Sequence, residues 1–514
     1  MGCNSSADHK SSAAYMDQIR AARQGKNLLI LGIKIQNSSC SVCLSGAAAQ
    51  DNALLSAIDV VLGKTNSGVK RGSEKMWDVA WHKTKITSPY QMTSSRKPFF
   101  PKGRHVVALL DALAEHGWVP IAAPNYGGPI GETMNSLPVL VCHKDTDGLY
   151  TKETLFLAVK DDNKPGKLCA CGPADVITSL KGNLFARLRE FLPSVGQNFD
   201  THDTEAEWDV VWTDTLISVG PKANFADPKP SYFPKGNVVV AIVDEIYKLG
   251  WRLVSAPNFG GIRVNWPCLV FKRLASPPAE TPAIVMAAAR DRDAPGKVCL
   301  SGTHSDLSSI AQDLCTALKK VKGNESVVLR KDESDAHWEH VLWNASITTG
   351  RAPFAWQLSS FPRGASVHAI VSMMAARGWK LAACPNFGGD GDTWPTFIWE
   401  FSGKAMKSAF IAIKDESHPG KVCLCGVDPA LEASLLAGLQ ATRKAVSKGS
   451  EEDFEMAIAN TKMTAGGFGK WWPHGFPLEI LLGECVQNGW SPAGGPNFGS
   501  MHQLCPAIVL QKDS

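Results

Sequence analysis

Short apolar runs alternate with longer amphipathic stretches along this chain, and the alternation repeats. In one unit, Leu155–Lys160 and Lys167–Cys171 are brief apolar runs joined by a Pro-Gly turn, which predicts a β-hairpin. Asp175–Leu192 sets Val176, Ile177, Leu180, Leu184, Leu188 and Leu192 at helical spacing and predicts an amphipathic helix. Trp208–Ile217, with aromatic and β-branched residues at mostly alternating positions, predicts a third strand. Val238–Leu249 predicts a second helix, and Gly250 follows it where a left-handed cap suits glycine. Trp251–Ala256 and Cys268–Lys272 predict two more strands around a Pro-Asn-Phe-Gly-Gly loop. The unit reads ββαβαββ, with two helices on one face of a mainly antiparallel sheet.

The same phrases occur four times. Gly117-Trp118 leads to Pro124-Asn125-Tyr126-Gly127-Gly128, and Gly250-Trp251 leads to Pro257-Asn258-Phe259-Gly260-Gly261. Gly378-Trp379 leads to Pro385-Asn386-Phe387-Gly388-Gly389, and Gly489-Trp490 to Pro496-Asn497-Phe498-Gly499. Successive Gly-Trp steps are 133, 128 and 111 residues, longer than a solenoid unit and long enough for each unit to own a core. Pro165–Gly172 returns as Pro295–Gly302 and Pro419–Gly426, with a worn copy at Ser39–Gly46. Phe100-Pro101-Lys102-Gly103 returns at Phe233–Gly236 and Phe361–Gly364, with Trp472-Pro473-His474-Gly475 in the last unit. Trp77 and Trp81 match Trp208 and Trp212. Trp338 and Trp343 stand one residue further apart, and the last unit has Phe454 and Ile458.

The fold class is therefore α+β, with four tandem homologous domains. They are repeat 1 (residues 27–147), repeat 2 (152–274), repeat 3 (281–403) and repeat 4 (407–514), after an N-terminal acylation segment and short helix (1–26). The joints are short: Leu274–Pro282 is rich in Pro, Ser and Ala, and Asp145–Glu153 and Ser402–Lys407 are polar. Such joints favour a compact chain of units over a loose string. The closing helix, Gly-Trp step and hairpin resembles a pattern found in small α+β domains of uncharacterised function. That pattern covers about a third of each unit and implies no activity.

Composition narrows the class. Over 514 residues the chain is 44% hydrophobic and 20% charged, which is globular usage. A net charge of +4, spread along the chain, gives no electrostatic footprint for nucleic acid. No apolar stretch is long enough to span a membrane. The first 25 residues lack the apolar core of a secretory signal, so most of the fourteen cysteines are expected to be reduced. Their spacing supports no structural zinc site, and no metal or cofactor is expected.

The N-terminus carries a different signal. Gly2 would be exposed once Met1 is removed, Cys3 lies beside it, and Ser6 completes a myristoylation pattern. The segment resembles those of dually acylated proteins, which implies myristate on Gly2 and palmitate on Cys3. One chain alone binds membranes only marginally, so a second signal is needed. A short helix is expected to start at Ser11 or Ser12 and end at Gly25, with Tyr15, Ile19 and Ala22 on one face and Arg20, Arg23 and Lys26 as a basic flank.

Candidate binding residues come from the repeats. Lys102, Lys235 and Arg363 stand just before a predicted helix, where a cation opposes the helix dipole and hints at an anionic partner. The Asn-Phe-Gly-Gly loops offer Asn125, Asn258, Asn386 and Asn497 with Gly128, Gly261 and Gly389. Their glycines suit either a tight turn or a backbone cradle for an anion. His474 occupies the cation's place in the last unit, so binding there should weaken as pH rises through ~6.5. Cys169 with Cys171 and Cys423 with Cys425 point to one strand face, as a redox or metal pair or as small core residues. The tryptophan pairs suit a stacking platform or the core. No catalytic constellation of Ser/His/Asp, Cys/His or paired carboxylates recurs. The expected function is a non-catalytic, four-repeat binding or scaffold protein on the cytoplasmic side of a membrane. The alternatives are a cytosolic location, a carrier with one small ligand per repeat, or an enzyme with a single active repeat. The expected partners are the membrane, reached through the acyl chains, and a protein or small ligand.

Overall fold

A computed structural model describes residues 18–19, 21–24, 27–35, 40–88, 99–130, 133–161, 166–198, 206–218, 232–261, 264–290, 296–331, 335–349, 361–389, 392–414, 420–464, 472–500 and 503–514. Gly2 and Cys3 lie outside the described residues.

The predicted order of elements holds. The second repeat runs Tyr150–Lys160, Lys167–Cys171, helix Ala174–Phe191, Gly196–Asn198, Val210–Thr213, helix Gly236–Lys248, Trp251–Ser255, Asn258–Gly261 and Val264–Leu274. Two features go beyond the sequence reading. A three-residue edge strand precedes Val210–Thr213, and the Asn-Phe-Gly-Gly loop is itself half of a hairpin. The glycines before the four tryptophans have φ of 75° (Gly117), 83° (Gly250), 83° (Gly378) and 78° (Gly489), the left-handed helix end expected of them.

Each repeat forms a six-stranded antiparallel sheet with one strand order. In the second repeat it is Gly196–Asn198, Val210–Thr213, Lys167–Cys171, Tyr150–Lys160, Val264–Leu274 and Trp251–Ser255. The equivalent strands of the third and fourth repeats follow the same order, as do those of the first. The mixed α+β architecture with four tandem repeats is thus present as the pattern predicts.

Each sheet carries helices on both faces. A repeat's own helices cover one face, as expected. The other is covered by the second helix of the preceding repeat: Gly103–Glu115 packs on Tyr150–Lys160, and Gly364–Ala376 packs on Met406–Lys414. The helix of the last repeat, Gly475–Gln487, packs on Leu28–Ile35 and Cys40–Gly46 of the first. Sheets and helix pairs therefore alternate around a closed ring. Trp118–Ala122, Trp251–Ser255, Trp379–Ala383 and Ser491–Gly494 touch in cyclic order around its axis.

The cores sit in the seams between repeats. Leu29, Leu31 and Ile33 join Leu109 and Leu113 of their own repeat and Phe156, Cys169 and Trp208 of the next. Leu28 and Ile30, on the opposite face of the same strand, join Leu478, Leu481 and Trp490 of the fourth repeat. Alternate residues of one strand thus feed two cores, each completed by a neighbour. This explains why the strands read as continuous apolar runs rather than alternating ones.

A single glycine makes each seam possible. A Cβ on Gly103 would lie 2.7 Å from Trp208, one on Gly236 2.5 Å from Trp338, one on Gly364 2.5 Å from Phe454 and one on Gly475 2.8 Å from Trp77. An aromatic ring of each repeat lies against the helix start of the preceding one, so close that only glycine fits. The backbone repeats the contact: N–H groups of Arg104, Asn237, Ala365 and Phe476 donate to carbonyls of Glu207, His337, Asp453 and Met76 at 2.8–3.1 Å.

Candidate functional site

The residues singled out in the sequence fall in two places, the seams and the ring axis. Lys102, Lys235, Arg363 and His474 are the N-cap residues of the seam helices, and none caps its helix with its side chain. Lys102 lies 3.7 Å from Glu207, and Arg363 Nε lies 3.1 Å from Asp453, each acid belonging to the next repeat. The carboxylates nearest these two cations are therefore supplied by the chain itself. Lys235 is half-buried: burial lowers its pKa and the charge of Asp161 raises it. Asp161 accepts from the Ser218 N–H and hydroxyl at 2.6 and 2.9 Å, and burial raises its carboxyl to about 6. His474 departs from expectation. Burial pushes its imidazole down to about 4, so it is already neutral at pH 6.5 and cannot lose charge there.

The four loop asparagines meet at the axis, all nearly fully buried. Asn125 Nδ2 donates to Asn497 Oδ1 at 2.5 Å, Asn497 Nδ2 donates to Asn386 Oδ1, and Asn258 Nδ2 reaches Asn125 Oδ1 at 3.4 Å. Around them the hairpins join into a collar. Gly261 pairs with Asn135 of the first repeat, Gly389 pairs with Val264 of the second, and the Thr393 hydroxyl donates to the Gly499 carbonyl at 2.8 Å. Gly128 pairs with Asn135 inside its own hairpin. Gly260, Gly388 and Gly499 have φ of 122°, 140° and 117°, so here the glycines serve backbone geometry. The axis gathers the asparagines, while Lys102, Lys235, Arg363 and the neutral His474 stand at the ring's four separate joints.

At the axis, residues of all four repeats line one cavity of about 850 Å³. Its apolar lining includes Ile121, Leu253, Val254, Leu381, Ala382 and Pro492. Its polar lining carries both charges, with Lys144, Lys380, Lys404 and Lys512 beside Asp145, Asp147, Glu400 and Asp513. Lys404 and Asp513 pair at 2.6 Å, and Glu400 lies 3.9 Å from Arg252. Lys380 is exposed on its strand, and its register partner is Glu400. These residues were missed in the sequence. A signal existed: the position after each Gly-Trp step is Val119, Arg252, Lys380 and Ser491, a varying position inside a constant phrase.

The cysteine and tryptophan pairs belong to the seams. Cys169, Cys171, Cys423 and Cys425 are buried free thiols. Burial raises those of Cys423 and Cys425 to about 12, so neither is a ready nucleophile. Small residues recur there because that face meets the neighbour's helix start; Ser301 Oγ would be 2.7 Å from a Cβ on Gly236. Trp208 and Trp212 lie in different cores, so the pair forms no joint platform. The chain matches no family model, no curated protein and no solved structure.

Proposed function

We propose that this chain is a non-catalytic binding protein that holds one small amphipathic ligand in its axial cavity and is tethered to the cytoplasmic face of a membrane through Gly2 and Cys3. The observation that carries the reading is convergence. All four repeats contribute to a single cavity with apolar side chains and charges of both signs. A concave site with an apolar lining and a few polar groups is what small ligands need. A shared cavity favours one ligand per chain over one per repeat. The tether rests on the N-terminal motif. Among the described residues no helix is long and apolar enough to cross a membrane.

Native mass spectrometry of the full chain from its own source tests the site. The expected result is one equivalent of small molecule, lost in Ser491→Trp, which fills the cavity from its rim. Four equivalents per chain, or full retention by Ser491→Trp, would overturn the assignment.

A further inference from the structure

Three of the four seams join repeats that are consecutive in the chain. The seam between the fourth repeat and the first lacks that covalent link, and its chemistry differs from the others. Five residues after the N-cap residue the other helices carry Val107, Val240 and His368, but this one carries Glu479, which is 1% exposed. Across the seam, Asp78 of the first repeat follows Trp77. Two carboxylates thus face one another from repeats that no linker joins, and burial, with the charge of Asp78 added to it, raises the pKa of Glu479.

The N-terminal helical segment resolves this conflict. Arg23 Nε donates to Glu479 Oε2 at 2.7 Å, and Nη1 donates to Asp78 Oδ1 at 3.0 Å. The second guanidinium nitrogen also donates to Asp78. The Ser45 hydroxyl donates to Glu479 Oε2 at 2.9 Å, and the guanidinium lies 4.3 Å over the Phe476 ring. One turn earlier Ile19 is fully buried. The sequence had placed Arg23 on a basic flank, yet its side chain is only 11% exposed. The seam between the first and second repeats meets the same need from within: Arg104, next to the seam glycine, donates to Asp209 at 3.0 Å. Phe476 holds the place of Arg104 in the closing seam, so Arg23 supplies the guanidinium.

We infer that residues 18–19 and 21–24 form a latch that holds the ring closed, with Arg23 as the group bridging Asp78 of the first repeat and Glu479 of the last. Without it both acids remain in the seam, and a buried carboxylate without its partner is strongly unfavourable. The guanidinium suits this role because its planar fork serves two carboxylates at once, which an ammonium cannot do as well.

Hydrogen exchange on the full chain tests the latch, comparing Arg23→Ala with the parent. Among the described residues, the polar and charged groups facing Glu479 are Arg23, Asp78 and Ser45. Exchange in Gly475–Gln487 and Leu28–Ile35 should quicken on the order of 100-fold, while Gly236–Lys248, in another seam, stays as in the parent. Arg23→Lys should give an intermediate rise, and Arg23→Ala with Glu479→Gln should recover much of the protection because the buried charge is gone. Unchanged exchange in Arg23→Ala, or an equal rise at both seams, would overturn the inference.

Discussion

Gly236→Ala isolates the contact on which the ring depends. Helix propensity alone predicts a gain: glycine to alanine in an exposed helix stabilises by about 0.5–1 kcal/mol. Gly182, in the helix Ala174–Phe191, meets that condition because a Cβ there has nothing within 4 Å. Gly236 opens a helix too, but its Cβ would sit 2.5 Å from two ring carbons of Trp338 and 2.7 Å from Ser301 Oγ. Real Cβ contacts do not approach so closely, and neither a rigid indole nor a helix backbone between two sheets gives way cheaply. Overpacking of this kind costs about 1–3 kcal/mol. With both positions rigid the upper half of that range applies, so Gly236→Ala should destabilise by about 2–3 kcal/mol while Gly182→Ala stabilises. Urea unfolding followed by tryptophan fluorescence measures both. The contact is isolated by Trp338→Val, in which Gly236→Ala should become neutral or better, a coupling of about 2 kcal/mol. If Gly236→Ala is as stable as Gly182→Ala, the seams do not rest on the glycine–aromatic contact and the account of ring closure is wrong.

Truncating Trp251, 1% exposed, to alanine should cost about 3–5 kcal/mol in the same unfolding assay, and a cost below 1 kcal/mol would contradict its place in the core. At the closing seam two groups pull stability in opposite directions with pH. His474, lowered from 6.5 to about 4, stabilises fully above pH 6.5 and loses its contribution as pH falls through 4; Glu479, raised from 4.5 to about 7, stabilises fully below pH 4.5 and loses its contribution as pH rises through 7. Between pH 4.5 and 6.5 His474→Gln should therefore grow more stable as pH falls, and Glu479→Gln less stable, in melting curves across that range; parallel curves would reject the assignment. Gly2→Ala should release the protein from membranes on fractionation and Cys3→Ser should leave partial attachment, since one acyl chain binds only marginally; a Gly2→Ala protein that still pellets with membranes is attached by some other means.

Local interactions and strict repetition were enough to determine the elements and their fourfold recurrence. Helical spacing in Asp175–Leu192, the Pro-Gly turn at Pro165-Gly166 and the glycine cap at Gly250 act within a few residues, so the sequence alone settles them. What covers the second face of each sheet was also written there, in continuous apolar runs such as Leu28–Leu31, since a half-solvated antiparallel strand would alternate. That signal called for a partner without saying which one. Only the tertiary structure decided that the partner is the preceding repeat, that the last repeat serves the first, and that the chain therefore closes. The seam glycines read as helix starters in the sequence because the ring resting on Gly103 is Trp208 of the next repeat, over a hundred positions away. The same distance hid the use of Lys102 and Arg363, whose acids lie in the following repeat, and the meeting of Asn125 with Asn497. The axial cavity was the least legible feature. It arises where four copies of one strand converge, and its lining comes from positions at which the repeats differ.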